Sequence, residues 1–114
     1  MKAKILSAFL LVMVLCSVAG AESLPSVTML STKTCPACEQ MAKVLGDIKA
    51  KYGGKISTAH IYLEDNPDIA RKYNVRYVPM LIFRDASGKE RAREVGYKSL
   101  DEVISTFRKV GITI

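Results

Sequence analysis

The stretch Val27-Thr28-Met29-Leu30-Ser31-Thr32-Lys33-Thr34-Cys35-Pro36-Ala37-Cys38 decides the fold class of this chain. Residues 27–30 predict a short β-strand, and the polar residues 31–34 predict a loop that ends at Cys35. A helical pattern starts at Pro36, because proline is favoured at the first position of a helix. The two cysteines therefore stand where a strand and a loop lead into a helix N-terminus.

Outward from this stretch, strand patterns and helix patterns alternate along the chain. Apolar residues at steps of three and four mark the helices, and runs rich in β-branched and aromatic residues mark the strands. The predicted strands are 27–30, 56–63, 77–83 and 90–95, and the predicted helices are 36–52, 67–73 and 100–110. The order β α β α β β α predicts an α/β domain with a mixed central sheet and helices on both faces.

Several residues predict where the later helices begin and end. Asn66 is expected to be an N-cap, and Asn74 is expected to close the same helix in a left-handed conformation. Ser99 and Glu102 have the spacing of a capping box, and Gly111 is the matching stop signal. A turn at 85–88 joins the last two strands into a hairpin.

The first 21 residues have the pattern of a signal peptide. Residues 1–4 carry two lysines, residues 5–15 are almost entirely apolar, and Ala19-Gly20-Ala21 is a small-x-small cleavage pattern. We therefore expect cleavage after Ala21, export of the protein to the periplasm or outside the cell, and one domain over 22–114. An uncleaved membrane anchor is the alternative, although the apolar run falls short of the roughly 20 residues that span a bilayer.

Composition and charge exclude other classes of protein. With 114 residues, 49% hydrophobic and 25% charged, the chain is expected to form one ordinary globular domain. The net charge of +6 is spread along the sequence among acidic residues, and no nucleic-acid-binding motif is present. We therefore expect no nucleic acid as a partner. We also expect a monomer, since residues 22–114 show no separate dimerisation domain.

Cys35 and Cys38 are the two cysteines of the expected exported domain. A disulfide between residues three apart closes a very short loop, so it would stabilise the fold little and calls for a chemical role. A helix N-terminus stabilises an anion, which predicts that Cys35 is the attacking thiolate. Cys38, one turn further into the helix, would then attack Cys35 and release the substrate.

Pro79 lies inside the predicted third strand, where it is unable to donate a ladder hydrogen bond. A cis peptide bond between Val78 and Pro79 at the start of the strand would resolve this conflict. The Val78 backbone would then be available to pair with an extended substrate peptide. A turn proline at an edge of the sheet is the alternative.

These motifs, together with Asp65-Asn66-Pro67 and Val95-Gly96, resemble thioredoxin in order and spacing over nearly all of residues 26–114. The resemblance implies a minimal thioredoxin fold, a redox-active disulfide between Cys35 and Cys38, and a cis Pro79 beside it. It also implies that protein thiols and disulfides are the substrates, without a cofactor. Because we expect export, we expect a membrane or periplasmic thiol protein as the redox partner. The residues expected to form the substrate groove are Thr34, Tyr77, Val78, Pro79 and Tyr97.

The chain departs from the usual thioredoxin pattern near the cysteines. Thr34 replaces the tryptophan before the first cysteine, and Pro36-Ala37 replaces Gly-Pro between the pair. Met29 stands where the family has a buried aspartate, and His60 stands where many members have a lysine near that acid. We therefore hypothesise that His60 is a proton acceptor for Cys38, directly or through water. A structural strand histidine without such a role is the alternative.

The direction of electron flow is left open by these residues. Ala37 contributes no charge to Cys35 and Glu39 disfavours a thiolate, whereas the helix N-terminus favours one. We expect a reductase, with a periplasmic disulfide oxidase as the alternative. A metal-binding or metal-trafficking domain is a third possibility, but zinc needs four ligands and the exported domain offers Cys35, Cys38 and His60.

Overall fold

The computed structural model describes residues 23–114, so the predicted signal peptide lies outside the described residues. Seven elements follow the predicted order β α β α β β α. The strands are β1 Ser26–Ser31, β2 Ser57–Tyr62, β3 Met80–Arg84 and β4 Glu90–Val95, and the helices are α1 Pro36–Tyr52, α2 Pro67–Lys72 and α3 Leu100–Lys109. Along 23–114, none of the helices combines the length and apolar character that crossing a bilayer requires.

The four strands form one mixed sheet in the order β2-β1-β3-β4. β1 runs parallel to β2 and antiparallel to β3, and β3 runs antiparallel to β4. The helical connection between β1 and β2 permits the parallel pair, and the short turn between β3 and β4 requires the antiparallel one. The predicted mixed sheet is therefore confirmed.

Successive residues of a strand point to opposite faces, which divides the core in two. Val27 and Met29 point towards the cluster formed with α1 and α3, which contains Phe83 and Phe107. Leu30 points to the other face and packs with Met80 and Ile82, under residues of the α2 segment. Helices therefore cover both faces, as the sequence predicts.

The predicted helix ends are largely confirmed. Ser99 Oγ accepts a hydrogen bond from the Glu102 amide and Glu102 Oε1 accepts one from the Ser99 amide, so the capping box is present. Asn74 has a φ of 50°, the left-handed conformation expected after α2. Asn66 precedes α2, but its side chain does not cap the helix, because its amide donates to the Tyr62 carbonyl at 3.1 Å.

Two strand boundaries differ from the predictions. Ser31 was predicted in the polar loop, but it is the last residue of β1 and is completely buried. This prediction was wrong because a hydroxyl can be buried in a strand when it has a partner, which the sequence pattern does not show. β3 begins at Met80, so Tyr77, Val78 and Pro79 form the approach to the strand.

The register brings three distant segments to one edge of the sheet, which is the edge formed by the C-terminal ends of β1 and β4 and the start of β3. Leu30, near the end of β1, pairs with Met80 at the start of β3, and Met80 pairs with Val95 at the end of β4. The loop after β1, the approach to β3 and the segment after β4 therefore meet at this edge. The edge contains the cysteine motif.

Candidate active site

The cysteine pair is built into the first turn of α1. Cys35 is the N-cap, with extended backbone angles of φ −142° and ψ 103°, and Pro36 is the first helical residue. The Cys38 amide donates a hydrogen bond to Cys35 Sγ at 3.1 Å, which satisfies one of the unpaired N–H groups at the helix start. The two cysteines form a disulfide, with their Cα atoms 5.1 Å apart.

The two cysteines differ in exposure. Cys38 is 3% exposed, whereas Cys35 is half-buried. The neighbours Thr34, Pro36 and Ala37 are exposed, so the surface around Cys35 is accessible to a large molecule. An incoming thiol or disulfide therefore reaches Cys35 before Cys38.

Lys33 holds the loop before the cysteines to the turn that follows β2. Its amide donates to Glu64 Oε2 at 2.7 Å, and its ammonium group pairs with Asp65 Oδ1 at 3.0 Å. The hydrogen bond to Asp65 raises the pKa of Lys33, so this lysine is charged at neutral pH. These contacts fix the chain that leads into Cys35.

Pro79 lies at the same edge, and its peptide bond with Val78 is cis, as predicted. Its ring is fully buried and its carbonyl accepts a hydrogen bond from the Gly96 amide at 2.8 Å. Tyr77, two residues before Pro79, is 71% exposed, and Tyr97, which follows Gly96, is 47% exposed. The structure therefore brings the predicted groove residues to the edge that carries Cys35.

His60 lies on β2, where it pairs in register with Met29 of β1. Its Nε2 atom is 2.6 Å from Ser31 Oγ, and its ring lies 4.4 Å from the ring of Tyr62. The imidazole is exposed as a whole, yet partial burial lowers its pKa from the ordinary value. His60 is therefore neutral at pH 7.

A cavity of about 210 Å³ connects His60 with the cysteine motif. The residues that line it come from β1, the following loop, α1 and β2: Ser31, Thr32, Lys33, Cys38, Glu39, Ala42, His60 and Tyr62. Cys38 is buried from bulk solvent but borders this cavity. Ser31 is a cavity residue that the sequence pattern does not reveal, and the pairing of β1 with β2 is the signal that locates it.

Among residues 23–114, no three histidine, cysteine, aspartate or glutamate side chains are grouped so that they would hold a metal ion. Cys35 and Cys38 are joined to each other, and His60 is bonded to Ser31. The geometry is that of a thiol-disulfide pair.

A family model described as a thioredoxin-like domain matches residues 16–111. The chain belongs to this thioredoxin-like family. Its match begins within the predicted signal segment and covers every described strand and helix. A thioredoxin of Thiocapsa roseopersicina is 32% identical over 59 residues, which are 52% of this chain and 65% of that protein. A thioredoxin of Staphylococcus aureus is 32% identical over 76 residues, or 66% of this chain and 71% of that protein.

Solved structures show the same thioredoxin fold. A malarial protein superposes with a TM-score of 0.72 at 24% identity, covering 78% of this chain and 99% of that one. Thioredoxin-2 of a malaria parasite gives a TM-score of 0.71 at 23% identity, covering 79% and 86%. At these identities the likeness establishes the fold alone. The chain spans less than two thirds of several of its thioredoxin relatives, including those of Thiocapsa roseopersicina and Rhodospirillum rubrum.

Proposed function

We propose that the protein is an exported thiol-disulfide oxidoreductase that reduces protein disulfides through Cys35 and Cys38. The observation that carries this proposal is the pairing of a half-buried and a buried cysteine at the first turn of α1. Membership of the thioredoxin-like family supports it.

The proposed reaction consists of two thiol-disulfide exchanges. The Cys35 thiolate attacks a substrate disulfide, which forms a mixed disulfide with Cys35 and releases one substrate thiolate. The Cys38 thiolate then attacks Cys35 Sγ, which forms the Cys35–Cys38 disulfide and releases the second substrate thiolate. Two electrons pass from the protein to the substrate, and the helix N-terminus favours the anionic form of Cys35 in the first step.

The edge around Pro79 is proposed as the groove for the substrate chain. Tyr77 and Tyr97 provide exposed aromatic surface beside it, and Thr34 and Val78 complete the groove next to Cys35. Exposed aromatic side chains bind peptides with little loss of conformational entropy, and they tolerate different sequences. This surface is suited to extended protein segments of varied sequence.

Export and the direction of electron flow are further parts of the proposal. The signal pattern over 1–21 supports export, and a periplasmic or membrane thiol protein would then supply electrons to Cys35 and Cys38. Glu39 is exposed in the first turn of α1, where its negative charge disfavours a neighbouring thiolate and so favours a reductase over an oxidase.

The reduction of insulin by dithiothreitol tests this function, because cleavage of the insulin disulfides makes the solution turbid. We expect the protein to accelerate the reaction at substoichiometric concentration, and Cys35→Ser to return it to the uncatalysed rate. In the full chain, Cys16→Ser is the matched control and is expected to retain the full rate, since the proposed reaction uses Cys35 and Cys38 alone. Equal rates for the protein and Cys35→Ser would contradict the proposal.

A further inference from the structure

Ser31 is a buried polar residue whose hydroxyl has one side-chain partner, His60. Within residues 23–114 the buried polar side chains are Thr28, Ser31 and Thr106, and Ser31 is 0% exposed. Buried hydroxyl groups are normally hydrogen-bonded, because an unpaired one loses its hydration without compensation. The contact of 2.6 Å between Ser31 Oγ and His60 Nε2 is short for a hydrogen bond and joins the two groups closely.

The position of this pair relative to Cys38 gives it a chemical meaning. Ser31, His60 and Cys38 all border the cavity of about 210 Å³, which has room for several water molecules. His60 also borders a second groove further towards the C-terminal end of α1, lined by Ala42, Leu45, Gly46, Lys49, Thr58 and Ala59. The imidazole therefore stands between the cavity beside Cys38 and the exposed surface.

We propose that Ser31 and His60 form a proton relay that deprotonates Cys38 when it resolves the mixed disulfide. This inference rests on the proposed oxidoreductase function. The Cys38 thiol gives its proton through cavity water to the Ser31 hydroxyl, which passes its own proton to His60 Nε2. The Cys38 thiolate then attacks Cys35 Sγ, the bond between Cys35 and the substrate sulfur breaks, and the substrate leaves as a thiolate. The imidazolium returns its proton to solvent.

The relay requires a neutral imidazole with its ring proton on Nδ1, so that Nε2 accepts from Ser31. Partial burial lowers the pKa of His60, which keeps the ring neutral at pH 7. The titratable and charged groups that face it are Lys33 from the loop, Glu39 and Lys49 from α1, and Tyr62 from β2. Lys33 is paired with Asp65, so its charge is partly compensated.

Reaction with dithionitrobenzoate separates the two exchange steps in one experiment. The reduced full chain, carrying Cys16→Ser so that Cys35 and Cys38 are its cysteines, releases one coloured thiolate when Cys35 is modified. It releases a second when Cys38 displaces the mixed disulfide. Stopped-flow absorbance measures both rates as a function of pH. NMR measures the pKa of His60 directly, because His60 is the single histidine of the sequence.

We expect the second rate of the parent protein to fall as pH decreases through the measured pKa of His60, since the imidazolium is unable to accept a proton. His60→Gln is expected to slow the second step by on the order of 10²-fold, the lower end of the range for general bases. Its second rate should no longer show this fall with pH, and its first step should not be slower than in the parent protein. Ser31→Ala should have the same effect, and Ser31→Thr, which keeps a hydroxyl, should restore the rate.

The double variant Ser31→Ala/His60→Gln distinguishes a relay from two separate roles. We expect it to be no slower than either single variant, because both changes break the same path. Effects that multiply would overturn the relay, as would an unchanged second rate and pH profile in His60→Gln. Circular dichroism checks that each variant is folded. If Ser31→Ala misfolds, His60→Gln still provides the test, because His60 lies on the exposed surface of β2. Absence of the second release in the parent protein would instead overturn the oxidoreductase function itself.

Discussion

At the scale of single residues, the chemistry follows from the unequal surroundings of two identical side chains. Cys35 is the N-cap of α1, and its Sγ atom accepts a hydrogen bond from the Cys38 amide. Cys38 lies inside the first turn and is 3% exposed. The less buried cysteine, Cys35, is the one at the positive end of the helix. This arrangement supports the proposed roles of Cys35 as the attacking thiol and Cys38 as the resolving thiol.

Alkylation of the reduced Cys16→Ser protein by iodoacetamide measures this difference. We expect Cys35 to react at least tenfold faster than Cys38 at pH 7, because the helix N-terminus favours a thiolate there and Cys35 is less buried than Cys38. Peptide mass spectrometry at timed intervals gives both rates. Unfolding in guanidinium is the control and should make the two rates similar. Faster labelling of Cys38 in the folded protein would reverse the assigned roles.

The sequence predicts these two roles but does not predict the surroundings of Cys38. Two local signals in the sequence carry this prediction: the spacing of Cys35 and Cys38, and the proline after Cys35. The contact between Ser31 and His60 joins residues 29 positions apart and depends on the register of β1 against β2. Such a contact is fixed by packing, and single-chain patterns do not encode it locally.

At the scale of elements, helix ends determine where the chain turns back onto the sheet. The capping box of Ser99 and Glu102 begins α3 directly after the segment that carries Tyr97. Hydrogen bonds from the Ser99 amide and hydroxyl lower the pKa of Glu102 from its ordinary value of 4.5. The charged form of Glu102 therefore stabilises the cap above this pH, and this part of the cap's contribution is lost as pH falls and the carboxylate is protonated.

Replacement of the cap residue tests this account of α3. Ser99→Ala is expected to lower the free energy of unfolding by about 1 kcal/mol at pH 7, measured by urea denaturation. Ser105→Ala, an exposed serine within the same helix, is the matched control and should not lower it, since alanine has the higher helix propensity. Equal stability of Ser99→Ala and the parent protein at pH 7 would show that the box does not stabilise α3.

The elements themselves were the most predictable level of structure. Strong periodicity over 36–52 and the cap signals at Ser99 and Asn74 are local, and the structure confirms them. The predicted start of β3 was too early, because the approach to Pro79 has the composition of a strand without its pairing. Serine is common in turns, so the sequence predicts a loop at Ser31. In the structure Ser31 is instead the buried last residue of β1.

At the scale of the whole molecule, the topology concentrates the chemistry at one edge of the sheet. Leu30, Met80 and Val95 are neighbours across three strands, which places Cys35, Pro79 and Tyr97 at the same edge. The two-sided core fixes this edge, because Met29 and Leu30 are anchored on opposite faces. The order of predicted elements was sufficient to predict the mixed sheet, but the cavity beside Cys38 emerges only when β2 and α1 pack together.

The reduction potential of the Cys35–Cys38 pair tests the central claim most directly. The protein is equilibrated with dithiothreitol or glutathione buffers of known potential. Alkylation and mass spectrometry then measure the fractions of the reduced and oxidised forms. A reductase predicts a reversible two-electron couple near the value of about −270 mV that is typical of thioredoxin. A potential near about −120 mV, typical of a strong oxidase, would contradict the proposed direction, and a pair that does not equilibrate reversibly would contradict the oxidoreductase function.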